Sequence, residues 1–259
     1  MTEQSLQRRP ENANAAHALA HALFEQGAAE EAETFLAAWL PRYDRAGWKH
    51  PHLWWHRALL ALEQDDGERA LAIYRECIAP NAGSAGPLPL LADGASLLWR
   101  LDLYGHAVPR EAWAEAAAFA NRHFPGSGLG FADLHMALVA AAAGDSAGLA
   151  ARIREMEQRL AADALPSGIV APTVCRAVAA FAEGRYADCA ALLRHSLSET
   201  VRLGGSHAQR EVVEDTLLVA LMKGGEVGKA ATLLDERLHR RPSQRDTRWR
   251  AGLTGHPGS

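Results

Sequence analysis

Cysteine is scarce in this 259-residue chain: there are three, Cys77, Cys175 and Cys189, with no CxxC or other metal-ligand spacing between them. An odd, dispersed set argues against a disulfide framework and suits a reducing compartment. A basic excess is also missing. Lys and Arg number 27 against 31 Asp and Glu, a formal charge of -4, which argues against bulk binding to phosphate backbones. Aromatics reach only 7%, fewer than a β-sandwich or barrel usually wants. No uncharged apolar run approaches the roughly 18 residues that a membrane helix needs, and the best candidate, Met136 to Ala143, is far shorter. The opening MTEQSLQRRPENAN has no apolar stretch of the kind a signal peptide requires. The expectation is a cytoplasmic protein with neither membrane nor nucleic acid as partner.

What the sequence has in quantity is alanine and leucine, which supply most of a 48% apolar share. It also has a period. Glycines placed as turns between helices fall at Gly27, Gly67, Gly105, Gly144, Gly184 and Gly225, with separations of 40, 38, 39, 40 and 41. Several are followed by a small residue and then a large apolar one: Ala32 and Leu36, Ala70 and Tyr74, Ala230 and Leu234. A small residue there lets the second helix of a hairpin approach the first, and the large one fills the seam. Pro80 and Pro242 stand where second helices should stop. This resembles a tetratricopeptide hairpin stretched from about 34 to about 40 residues. The predicted fold is all-α, a TPR-like α-solenoid of about six antiparallel helical hairpins, each stacked on its neighbours because none can bury its own apolar face.

First helices are expected at Ala13–Gln26, His52–Gln64, Leu90–Leu103, Gly130–Ala143, Thr173–Glu183 and His207–Lys223. The domain plan is a disordered start over 1–11, one repeat domain over 12–242 and a flexible polar tail over 243–259. Arg245, Arg248 and Arg250 in that tail read as a frayed end rather than a nucleic-acid arm.

In such solenoids the first helices line the ligand-binding face. His17 and His21 stand four apart in AHALAH, and His52 and His56 repeat the spacing in HPHLWWH. Residues at i and i+4 share a helix face, so each pair presents two imidazoles to one ion or one anion. The HExxH of zinc proteases is absent, Ala18 and Leu53 standing where its glutamate would be. The four histidines are therefore candidate ligands for a divalent transition metal, with a polar pocket or a hydrogen-bond network as the competing reading. Trp54 and Trp55 read as packing between hairpins or as a pocket wall.

Further along, Asp93, Arg100, Asp133 and His135 fall on the next two first helices. Arg100, in SLLWRL, is either paired with Asp93 or Asp133 or held for an anionic ligand. Gly204, Gly205 and Ser206 precede the helix at His207, where they either cap it or offer amides to an anion beside Arg210. No GxSxG, P-loop or dinucleotide fingerprint occurs, and a covalent mechanism through Ser96 or Ser206 has little support.

The stretches NANAAHALAHALFEQG, HPHLWWHRALLALE, LADGASLLWRL, GFADLHMAL and LGGSHAQREVVEDTLL together resemble the tetratricopeptide repeat protein 38 family, helical-repeat proteins found widely in bacteria and also in animals. The resemblance runs from about Asn12 to Pro242. It implies a site at His17, His21, His52, His56, Asp93, Ser96, Arg100, Asp133, His135, Ser206, His207, Gln209 and Arg210, and it implies no established reaction. Gly94 and Ala132 depart from the Ala and Asn the pattern expects, and the chain looks like the C-terminal part of the usual family length.

Two functions follow. The leading one is a helical-repeat binding module whose His-rich concave groove takes a peptide segment or a small polar or anionic ligand, through His52, His56, Asp93, Arg100, His135, Ser206, Gln209 and Arg210. The rival is an enzyme, metal-dependent through His17, His21, His52 and His56, with Asp93, Asp133 or His135 as base. A purely structural polar core would instead have these residues satisfy one another.

Overall fold

A computed structural model describes residues 2–254. Among the described residues there are fourteen α-helices and no strand, an all-α, TPR-like architecture. In chain order they are α1 (Thr2–Arg8), α2 (Ala13–Gln26), α3 (Ala29–Trp39), α4 (His50–Glu63), α5 (Gly67–Ile73), α6 (Pro87–Leu103), α7 (Arg110–His123), α8 (Gly130–Ala142), α9 (Ser146–Ala161), α10 (Val170–Ala182), α11 (Tyr186–Ser196), α12 (His207–Lys223), α13 (Val227–Arg240) and α14 (Gln244–Thr254). The pairs α2/α3 through α12/α13 are the six expected repeats. The expected bounds of α2 and α12 are those observed.

Local chemistry explains the ends. The Asn12 side chain accepts from the amides of Asn14 and Ala15 at the start of α2, satisfying donors that have no partner inside the helix. Gly27 closes α2 with φ 68°, a left-handed conformation that glycine enters without a Cβ penalty. At the second turn the structure differs from expectation. The left-handed residue is Asp65, φ 63°, Asp66 caps the next helix through the Arg69 amide, and Gly67 is the first residue of α5. Aspartate tolerates this conformation better than most non-glycine residues.

Where a single repeat domain is expected over 12–242, the chain forms two compact units, one of residues 1–90 with 231–259 and the other of residues 91–230. The boundaries fall inside α6 and α13. In the first unit, α2, α3 and α4 close over Ala16, Ala20, Leu23, Ala32, Leu36, Trp39, Leu40, Leu53 and Leu60. The alanines are almost fully buried, so the Ala-rich composition serves close helix approach. In the second unit, α8 is buried from Gly130 to Val139 and α12 from Val212 to Leu221.

At both ends where flexibility is expected, described residues are helical. The start is helical over Thr2–Arg8, and the Trp39 indole donates to the Pro10 carbonyl at 2.7 Å. The tail is helical over Gln244–Thr254. Ser243 caps it, its Oγ accepting from the Asp246 amide at 3.1 Å and donating to Glu63 Oε2 at 2.7 Å. Asp246 accepts from Arg237 at 2.7 Å and from Arg245 at 2.8 Å, and all three are buried. Sequestered charges persist when so paired. Residues 255–259 of the expected tail lie outside the described residues.

Candidate functional site

The spacing of alanines and leucines commits AHALAH to the middle of α2, and Pro51 near the start of α4 fixes the phase of HPHLWWH. Because 3.6 residues make a turn, His17 and His21 share one face and His52 and His56 another. The fold brings these faces together. One ring nitrogen from each of the four histidines lies within 4.8 Å of the others. His17 Nε2 is 3.0 Å from His52 Nε2. Ring centroids are 4.4 Å apart for His21 and His56, 4.5 Å for His17 and His21, and 4.9 Å for His52 and His56.

The four differ in setting. His56 is 2% exposed, and neither of its ring nitrogens has a hydrogen-bond partner. His17, His21 and His52 are half-buried. Burial, reinforced by the neighbouring imidazoles and Lys49, holds His56 well below the ordinary histidine value and takes His17 down to about 3. Both are therefore neutral near pH 7 and keep a lone pair, the form that ligates a metal. A tetrahedral ion with bonds of about 2.0–2.1 Å needs its nitrogens about 3.4 Å apart, so the cluster closes on an ion with shifts on the order of 1 Å. A carboxylate, the usual outer partner of a ligating imidazole, is not what stands behind His17. Its Nδ1 faces Lys49 Nζ at 3.3 Å.

Lys49 was not among the sequence candidates, although it lies three residues before His52, on the same face. Of the two tryptophans, Trp55 is fully buried and stacks on His52 with centroids 5.4 Å apart, while the Trp54 indole donates to His50 Nε2 at 3.0 Å. Just beyond His21 and His56, the same helices contribute Leu23, Phe24 and Leu60 to a groove of about 930 Å³ that is also lined by Glu63, Arg241 and Arg248.

The remaining candidates gather in the second unit. Arg100 pairs with Asp215. Its Nε donates to Asp215 at 2.9 Å and its Nη2 to the Ala208 carbonyl at 2.9 Å. Asp93 accepts from Gln209 at 3.0 Å, and the Ser96 hydroxyl donates to the Asp93 carbonyl at 3.3 Å. Asp133 has both oxygens engaged, by Arg152 at 2.7 Å and by the Gly128 amide at 2.9 Å, and burial raises its carboxyl above the usual range. His135 donates from Nδ1 to the Phe131 carbonyl at 2.7 Å, and burial takes it down to about 4.

At the start of α12, Ser206 and Gln209 form a reciprocal capping box. The Ser206 amide is thus bonded to a side chain, and Arg210 donates to the carbonyls of Gly204 and Gly205. His207 is exposed. Asp93, Ser96, Arg100, Asp133, His135, Ser206, Gln209 and Arg210 form bonds within the protein, as a structural polar core requires. Asp215, Arg152 and Thr216, which accepts from the Trp99 indole at 3.0 Å, were missed because their partners are remote in sequence.

Residues 1–50 match a protein-family model described as a tetratricopeptide repeat, and no solved structure matches the chain. The match covers α1, α2 and α3 and includes His17 and His21. Together with the all-helical fold it shows a TPR-like helical-repeat protein, an architecture that presents extended binding surfaces to protein partners. No described helix is long and apolar enough to cross a membrane.

Proposed function

We propose that this is a helical-repeat binding protein of the tetratricopeptide repeat protein 38 family, in which His17, His21, His52 and His56 hold one divalent transition metal ion. The convergence of four imidazoles from two i,i+4 pairs carries the reading, above all the buried His56 with both nitrogens unpartnered. A buried polar group without a hydrogen bond costs about 1–3 kcal/mol, and coordination would remove that cost for one nitrogen. Neutral imidazole suits zinc, copper, nickel and cobalt. A peptide segment or small polar ligand would seat in the adjoining groove, whose walls the metal would tie together through α2 and α4. Three free, buried cysteines fit a reducing cytoplasm.

The half-exposure of His17, His21 and His52 favours one second reading, a metal-dependent enzyme, because an accessible ion keeps a position for substrate. Elemental analysis of protein purified without chelator tests the common ground. About one equivalent of metal is expected, lost in a folded His17→Ala, His56→Ala variant. Metal-free protein that takes up no zinc, nickel, cobalt or copper on titration would sink the reading.

A further inference from the structure

We infer that the ion held by the four histidines carries a small oxyanion as an additional ligand, and that the Lys49 ammonium group holds the anion's other side. This rests on the metal reading above.

Charge is the first reason. Four neutral imidazoles leave a divalent ion uncompensated, and an isolated charge is costly away from water. The side chains that act electrostatically on His56 are His52, His21, His17 and Lys49, and on His17 they are His52, Lys49 and His21. Of these only Lys49 is charged while the imidazoles are neutral, and its positive charge favours an anion there.

Lys49 is the second reason. It is 7% exposed, and among the described residues no carboxylate pairs with it. Its Nζ rests 3.3 Å from His17 Nδ1 and 4.1 Å from the centroid of the Trp48 ring. Lysines are almost never buried unless paired, so an ammonium held between an imidazole and an indole has room for a stronger partner.

Coordination supplies the third. An imidazole that gives one nitrogen to a metal carries a proton on the other. With His17 bound through Nε2, its Nδ1 becomes a donor, and the present contact with the Lys49 ammonium turns from attractive to repulsive. Metal loading therefore swings Lys49 off His17 and frees its donors for an oxygen bound to the ion. The half-exposure of three of the four histidines leaves the path by which the anion enters.

The test uses the full chain loaded with Co(II), titrated with acetate and separately with sulfate while the visible spectrum is followed. One equivalent of Co(II) is expected, with a saturable drop and shift of its bands as a further ligand joins. Lys49→Met should bind Co(II) and weaken anion affinity about tenfold, roughly 1.4 kcal/mol, and Lys49→Arg should restore most of it. Failure to bind Co(II) overturns the metal reading and this inference together. Stoichiometric Co(II) whose spectrum ignores both anions overturns the inference and leaves the metal. So does equal anion affinity of metal-free protein by calorimetry, or of a folded Lys49→Met variant. If Lys49→Met does not fold, the wild-type titration and Lys49→Arg still decide.

Discussion

His17 and His52 face each other through their Nε2 atoms at 3.0 Å although they lie 35 residues apart. One of these nitrogens donates and the other accepts, so the contact links α2 to α4 in the absence of metal. A metal that replaces this bond with two coordinate bonds binds the folded state and not the unfolded one. Zinc at about 100 times its dissociation constant should then stabilise the protein by about 2.7 kcal/mol. His52→Ala should remove most of that gain. Thermal melts with and without zinc give the answer, and equal shifts in the two proteins would refute the assignment.

Arg100 and Asp215 make a buried charge pair, and truncating one member strands the other. Asp215→Ala should cost about 3–5 kcal/mol in urea unfolding, whereas a joint Arg100→Met, Asp215→Leu change should cost much less than twice that. Additive losses would show that the two side chains act independently.

Three histidines make the fold sensitive to acid. His17 and His135 titrate at about 3 and about 4 in the folded protein, and His56 well below 6.5, because burial disfavours their charged forms. The unfolded chain takes up these protons from 6.5 downward while the folded chain refuses them. Stability is therefore complete above pH 6.5 and falls as pH drops from 6.5 toward 4, by up to about 1.4 kcal/mol per pH unit for each fully buried histidine. His17, being half-exposed, contributes less. His135→Asn should flatten the profile of urea midpoint against pH by one such increment. An unchanged slope would count against the assignment.

The cap at the end of the chain should matter as much as a core residue. Asp246→Ala removes the buried carboxylate that Arg237 and Arg245 share, leaving Arg245 its longer contact with Glu63 at 3.6 Å, an expected loss of about 3–5 kcal/mol. Gly27→Ala should also destabilise, since its φ is positive and an added Cβ would stand 2.6 Å from the Pro242 carbonyl oxygen. Limited proteolysis should cut both variants first near residues 241–254, and cleavage elsewhere would contradict a role local to α14.

The helices were legible because a hairpin repeat writes its period in glycines and alanines, and α2 and α12 begin and end where their sequences place them. Gly67 misled by two residues because Asp65 adopts the left-handed conformation that a glycine usually marks. The histidine cluster was legible as two face-sharing pairs; that the faces meet was not, since helix spacing says nothing about which hairpin sides touch. Arg100 meets Asp215, 115 residues away, a pairing made by tertiary packing and not readable from local spacing. For α14 the signal was present: Ser243 and Asp246 are a cap and its third residue, hidden among arginines, proline and glycine that read as a loose end.

The first unit joins residues 1–90 to residues 231–259, so it is discontinuous along the chain, whereas residues 91–230 are contiguous. On a ribosome the contiguous unit can close as soon as it has emerged. The other must wait, with Glu63 and the groove side of Phe24 uncovered, until Arg241, Ser243 and Arg245 have been made. While residues 91–240 are being made the chain therefore exposes the surface beside its histidine cluster, and that interval is when a chaperone, or an early dose of metal, would have the most influence on how it folds.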